Sequence, residues 1–247
     1  MIIHITVEQN MTTFRGICWS AVMATALLLN GCAGPHAIGY AVDPLDGPPV
    51  KLKTPVLVRT LADRRPAAER IDPAEAAEYR FFSADKLFKE PVDESITRML
   101  QLELANAGLE VAAEGNHLLG DKPYIRVSGE ILNFFVSRRS LPVATMQDKV
   151  NTLWLREQYT VRVEIRIDMI DALSQKQVMS RRYTSSDSFA QRSEMIDVAA
   201  YNKDPRGDTE TKRWQVAADD YAVQLLNDHL KRTLVQARKD IVLLLTP

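Results

Sequence analysis

Thiols, imidazoles and closely spaced carboxylates are the usual raw material of catalytic and metal sites, and this chain of 247 residues holds few of them in useful spacing. Its two cysteines, Cys18 and Cys32, both fall within the first 32 residues. Counting therefore predicts neither a disulfide nor a cysteine-based zinc site in the folded part. Of the four histidines, His4 and His36 precede the expected fold, and His117 and His229 lie far apart in the chain. Neither has the close-spaced partner that helical or loop metal sites use. His117 reads as a solvated loop residue and His229 as a helix-surface one. Two carboxylate pairs stand out, Asp219 with Asp220 and Glu164 with Asp168. The second pair alternates with Arg162 and Arg166, which cross-strand ion pairing explains without catalysis. No G-x-S-x-G, G-x-G-x-x-G or G-x-x-x-x-G-K-[ST] string occurs, so nucleophile-elbow and phosphate-cradling chemistry have no support. The expectation is a protein with no catalytic residues, no metal ligands and no cofactor.

These residues must be carried by ordinary globular elements. Apolar residues make up 46% of the chain and charged residues 26%, enough to build a core. A formal net charge of −1 gives no electrostatic reason to expect nucleic acid as a partner. The run "VLVRTLAD", residues 56–63, reads as a strand and is followed by the charged turn "DRRPAAER". That turn is either a recognition loop or a self-paired, solvated one, and the second reading is favoured. Pro91 suits the first turn of a helix in which Ile96, Leu100 and Leu104 repeat every four residues, with Val92 and Met99 beside them. Gly108 stands where a left-handed residue would end it.

Residues 109–113 form a short strand, and "YIRVSGEILNFFV", 124–136, a longer one. In "QYTVRVEIRIDMID" the residues Val161, Val163, Ile165, Ile167 and Met169 face one way, and Arg162, Glu164, Arg166 and Asp168 the other. Strict period two with a charged outer face predicts an antiparallel sheet wet on one side. A turn near "DALSQK" leads to the hairpin partner "QVMSRRYTSSDSF". From Asp208 to about Val242 the period is helical, with Ala222, Leu226, Leu230, Leu234, Ala237 and Ile241 in one stripe and Asp220, Lys231 and Arg238 opposite. The predicted fold class is α+β: a mostly antiparallel sheet of about five strands with two long helices packed on one face. Residues 56–247 are expected to form a single domain.

The segment before this domain has a different character. Arg15 precedes an apolar run from Gly16 to Leu29, which is followed by Asn30, Gly31 and Cys32. A basic start, a short apolar core and a small residue at a cleavage point make residues 1–31 a secretory signal, and the run is too short to span a membrane. Met11 opens a better signal than Met1, because residues 1–10 hold no basic residue, so translation is expected to begin at Met11. The string Leu29-Asn30-Gly31-Cys32 resembles the lipobox of bacterial lipoproteins. The resemblance implies cleavage after Gly31, a diacylglycerol thioether on Cys32 and acylation of the new amine. With two or more acyl chains the anchoring is stable. Ala33 after the cysteine implies delivery to the outer membrane, with the protein facing the periplasm. Residues 33–55 hold 8 of the 22 glycines and prolines, a density that denies helix and strand pairing. Residues 32–55 therefore read as the lipidated cysteine and a flexible tether.

Two long loops are expected, at 137–152 and 190–208. The strands on either side run so that both loops crown one end of the sheet. If the first helix makes a parallel crossover, the first strand begins at that end too, and the tether joins near the crown. Leu141, Val143, Met146, Met195, Ile196 and Val198 make the crown a candidate partner surface. The equal alternative is that these residues fold back onto the core.

The arrangement resembles small bacterial lipoproteins of the YajG-like kind and the auxiliary lipoproteins of lipid-transport systems. "VLVRTLADRRP" supplies a first strand ending in D-x-R at Asp63 and Arg65, "LELANAGLEV" a helix ending in A-G, and "YIRVSGEILNF" the next strand. The resemblance implies an envelope location and this fold more than an activity. Two functions follow as expectations. The first is a membrane-anchored accessory that binds or assembles envelope proteins, with no small-molecule substrate. The second is an auxiliary subunit of an ABC-type lipid transporter, and stoichiometric co-purifying phospholipid separates it from the first.

Overall fold

In the computed structural model the described residues are 38, 40–45, 54–70, 79–81, 84–113, 123–143, 152–197 and 209–246. The chain divides into two units, Met1–Pro35 and His36–Pro247, and all the described residues belong to the second. The strands are β1 Val56–Val58, β2 Ala62–Asp63, β3 Tyr79–Phe81, β4 Val111–Ala113, β5 Ile125–Val143, β6 Thr152–Asp171 and β7 Gln177–Asp197. The helices are α1 Ala67–Arg70, α2 Val92–Asn106 and α3 Thr209–Leu245. The class is α+β, as expected, with a sheet in the order β4-β1-β5-β6-β7 and with β2 and β3 also paired to β5.

The sheet is mixed. β1 lies parallel to both β4 and β5, with Val56 opposite Val111 and Ile125. β5, β6 and β7 form an antiparallel meander. The run 56–63 makes two short strands rather than one. Val58 pairs with Val127 and Ala62 with Glu130, so four steps along this strand match three along β5. Leu61, fully buried at the break, gives its N–H to the hydroxyl of Thr97 on α2 at 2.9 Å. That bond satisfies a donor the ladder has dropped.

Helix α2 ends in a Schellman motif: Leu109 N–H bonds Leu104 O at 3.2 Å and Gly108 N–H bonds Ala105 O at 2.9 Å. Gly108 has φ 93°, the left-handed value expected of it. The β6–β7 turn falls at the predicted place. Asp171 Oδ1 accepts the N–H groups of Leu173 and Ser174 at 2.9 and 3.1 Å, an Asx turn. The alternating face of β6, Val161 to Met169, shares one core with Ile96, Leu100 and Leu104 of α2 and Leu226, Leu230 and Leu234 of α3.

Two expectations are corrected. Part of each supposed long loop is strand: β5 continues to Val143, β6 begins at Thr152 and β7 continues to Asp197, so the three strands hold 19, 20 and 21 residues. The reason is the ladder. Once β6 has a neighbour on each side, its backbone groups stay paired whether or not the side chains alternate. The tether also joins at the other end. Because β1 runs parallel to β5, it starts beside Ile125 and not beside Val143.

Candidate functional site

The turn "DRRPAAER" is self-paired, as favoured, and largely exposed, but two of its charged residues, Arg65 and Glu69, are buried. The Arg65 side chain is completely buried. Its Nε and Nη2 bond Asp63 Oδ1 and Oδ2 at 3.0 and 2.8 Å, and Nη2 also reaches Asp85 Oδ1 at 2.6 Å. Arg70 closes the cluster on Asp85 Oδ2 at 2.9 Å. Burial pushes the Asp63 carboxyl up, but the hydrogen bonds and charge of Arg65 outweigh it and hold the group below its ordinary range. Glu69, the next carboxylate, accepts the Phe134 N–H at 3.4 Å, beside the bulge between Ile131 and Asn133. Burial keeps the Glu69 pKa raised despite that bond. The turn thus joins the end of β2 to the bulge of β5 and to Asp85, before α2. Its Arg64 is exposed and lies 3.9 Å from Glu130.

On the charged face of the sheet, Glu164 is nearly buried beneath Arg162 and Arg182, and Asn133 Nδ2 donates to it at 2.9 Å. Arg166 spans Glu130 and Asp168 at 3.3 and 3.2 Å. Ser180 on β7 donates to Asp168. The Glu164 and Asp168 pair is therefore an ion-pair lattice, as its alternation with arginines suggested. Asp219 and Asp220 fall within α3, and their side chains lie outside the described residues, as does all of His117. Among the described residues no group of three or more His, Cys, Asp and Glu side chains is placed to hold a metal ion.

His229 departs from its expected place on the helix surface. It is buried, with Nδ1 2.8 Å from the Ser185 hydroxyl of β7. Burial, helped by Arg232, lowers its pKa, while Asp187 and Asp228 oppose the shift. In the window below the ordinary histidine value of 6.5 the unfolded chain takes up a proton that the folded chain refuses, so stability falls as pH falls there. One such proton gives a slope of at most about 1.4 kcal/mol per pH unit. Urea unfolding of His229→Gln is expected to lose that part of the acid slope; a variant with the wild-type profile contradicts the assignment.

The apolar core ends toward the crown in an aromatic cluster. Tyr159 stacks on Phe189 at 5.7 Å and meets Tyr221 edge-on at 5.2 Å. Arg138, opposite Tyr159 in the ladder, forms a buried pair at 3.4 Å with Glu157, two residues nearer the crown. Beyond this polar layer the three strands run on together. The register puts Val143, Trp154 and Met195 in one row across β5, β6 and β7, with Leu153 and Ile196 in the next, while Leu141 stands opposite Arg156. Four of the six candidate surface positions are thus strand positions brought to one end of the sheet; their side chains lie outside the described residues. Met146 and Val198 lie outside the described residues altogether, as do Gly31 and Cys32. No described helix is long and apolar enough to cross a membrane.

Sequence reasoning missed Glu103, Tyr40 and the reach of two basic residues. Glu103 is fully buried in the apolar stripe of α2, four residues after Met99. Arg238, expected on the wet face of α3, bonds its Oε2 at 2.7 Å. Lys231, expected on the same wet face, pairs with Asp43. A carboxylate at an apolar helical position was the available signal.

An α+β domain with a sheet prolonged at one end, and with several buried charges held in ion pairs among the described residues, is the class these features define. No protein-family model matches the sequence, and comparison with curated proteins finds no match. Solved structures similar to it include the DUF330 protein XCC0632 of Xanthomonas campestris, at 12% identity over 84% of this chain and 91% of that one, TM-score 0.37. A protein described as a neuraminyllactose-binding hemagglutinin homolog from Helicobacter pylori aligns at 13% identity over 82% and 92%, TM-score 0.40. A minor lipoprotein from Acinetobacter baumannii aligns at 11% identity over 75% and 91%, TM-score 0.33.

Proposed function

We propose that the chain is a lipoprotein of the bacterial cell envelope, held at the periplasmic face of the outer membrane by acyl chains on Cys32, and that it binds or assembles an envelope protein complex without catalysis. In this reading residues 1–31 are the signal and the body follows the YajG-like pattern. In the same reading helices α2 and α3 cover the apolar face of the sheet; among the described residues Arg162, Arg166 and Arg182 on the charged face are exposed, which supports it.

One observation carries the proposal. The first strand enters beside Ile125, and the three long strands end together at the row of Val143, Trp154 and Met195. At about 3.3 Å per residue that row stands up to about 60 Å from the point of entry. A chain held near its start presents the far end of this sheet to whatever lies away from the membrane.

The test is palmitate labelling with fractionation in cells. Wild-type protein is expected to take up label and sediment with the outer membrane, and Cys32→Ser to do neither. A variant that still carries label or still sediments contradicts the proposal. Mass spectrometry of the untethered protein, purified without detergent, is expected to find no stoichiometric phospholipid; finding it favours the lipid-transport subunit instead.

A further inference from the structure

Part of the segment expected to be a free tether is seated on the body. Ile38 and Tyr40 pack against the core. The Tyr40 hydroxyl donates to Glu103 Oε1 at 2.5 Å, and Arg238 holds the other oxygen of the same carboxylate. Three residues on, Asn106 Nδ2 donates to the Asp43 carbonyl at 3.0 Å, and Lys231 pairs with the Asp43 carboxylate. The seat therefore combines the C-terminal half of α2 with the C-terminal half of α3. Glu103 explains why an ionisable group occupies an apolar stripe. It is fully buried, and its two oxygens accept hydrogen bonds from a guanidinium of α3 and from a phenol of the tether. A buried carboxylate needs such partners to be tolerated.

We infer that residues 38–45 are a latch, and that its seating sets how far the body stands from the membrane. The consequence for reach rests on Cys32 being the anchor. With the latch seated, six residues of chain separate Cys32 from Ile38, a span of at most about 20 Å. With the latch released the leash runs the 24 residues to Val56, about 80 Å. The same anchored protein thus has a short and a long working distance.

Two changes confined to the latch, Tyr40→Phe with Asp43→Asn, alter no residue of the body. Hydrogen exchange of the full chain in detergent is expected to show at least about tenfold faster exchange over residues 40–45 in the variant, with β5 and β6 unchanged. Energy transfer from a dye on Ser174→Cys to labelled headgroups in phosphatidylethanolamine/phosphatidylglycerol vesicles is expected to fall in the variant. Equal exchange overturns the latch, and faster exchange with unchanged transfer overturns its control of reach. The exchange arm repeated on Cys32→Ser is independent of anchoring. A wild-type chain that does not bind vesicles counts against the anchor and the control of reach, while the exchange arm still decides the latch.

Discussion

Replacing Arg65 with methionine is expected to cost about 4 kcal/mol of folding stability, because it removes one side of a buried ion cluster and leaves the other in place. The guanidinium is fully enclosed and is shared by Asp63 and Asp85. Without it, Asp63 stays mostly buried, and among the described residues its remaining cation is Arg70, at 3.7 Å. The effect carries a pH signature. Burial raises the Asp63 pKa, but Arg65 brings the folded value below 3.8, so the wild-type chain gains stability above that value and loses it as pH falls through the folded pKa. The gap between wild type and Arg65→Met is therefore expected to narrow below about pH 4. Arg64→Met serves as the contrast. Its side chain is 68% exposed and its contact with Glu130 is long, so a change within about 0.5 kcal/mol is expected. Urea denaturation of both variants checks the pair, and equal losses contradict the burial argument.

Gly129→Ala is the second large effect. Gly129 pairs with Ile167 in the centre of the sheet. A Cβ built there would stand 2.0 Å from the carbonyl oxygen of Arg166 and 3.2 Å from the Cα of Ile167. Both are backbone atoms, held by β5 on one side and β7 on the other, so no side-chain rotation relieves the clash. Overpacking in a rigid core typically costs about 1–3 kcal/mol, and this geometry belongs at the upper end or beyond. The expected result is a loss of about 3 kcal/mol or more in urea denaturation, with Ser128→Ala close to wild type. A stable Gly129→Ala protein with wild-type unfolding contradicts the register of β5 on β6.

What could be read from the sequence is what local periodicity dictates. The alternation from Val161 to Met169 and the stripe from Ala222 to Ile241 gave a face of β6 and a face of α3, and both are buried. Gly108 marked a helix end because few other residues adopt its backbone conformation readily. What could not be read depends on partners distant in the chain. Glu103 is stabilised by Arg238, 135 residues away, and by Tyr40, 63 residues away. Nothing near it in sequence announces either. Arg65 looked like one more charge in a charged turn, and its burial follows from Asp85, 20 residues on. The outer halves of β5 and β7 lack apolar alternation, and Pro142 interrupts β5, so they read as loops; inter-strand pairing made them strands. The direction of β1 needed its partner too, because a lone strand has no orientation until β5 is beside it.

The central claim is that the body is anchored at one end and binds at the other. In-cell photocrosslinking compares the two ends directly, with a probe replacing Met195 at the crown or Ser174 in the β6–β7 turn. The account predicts discrete protein adducts from position 195, lost when Met146→Asp and Ile196→Asp are added, and none from position 174. Adducts from 174 alone, or adducts at 195 that survive both aspartates, contradict it.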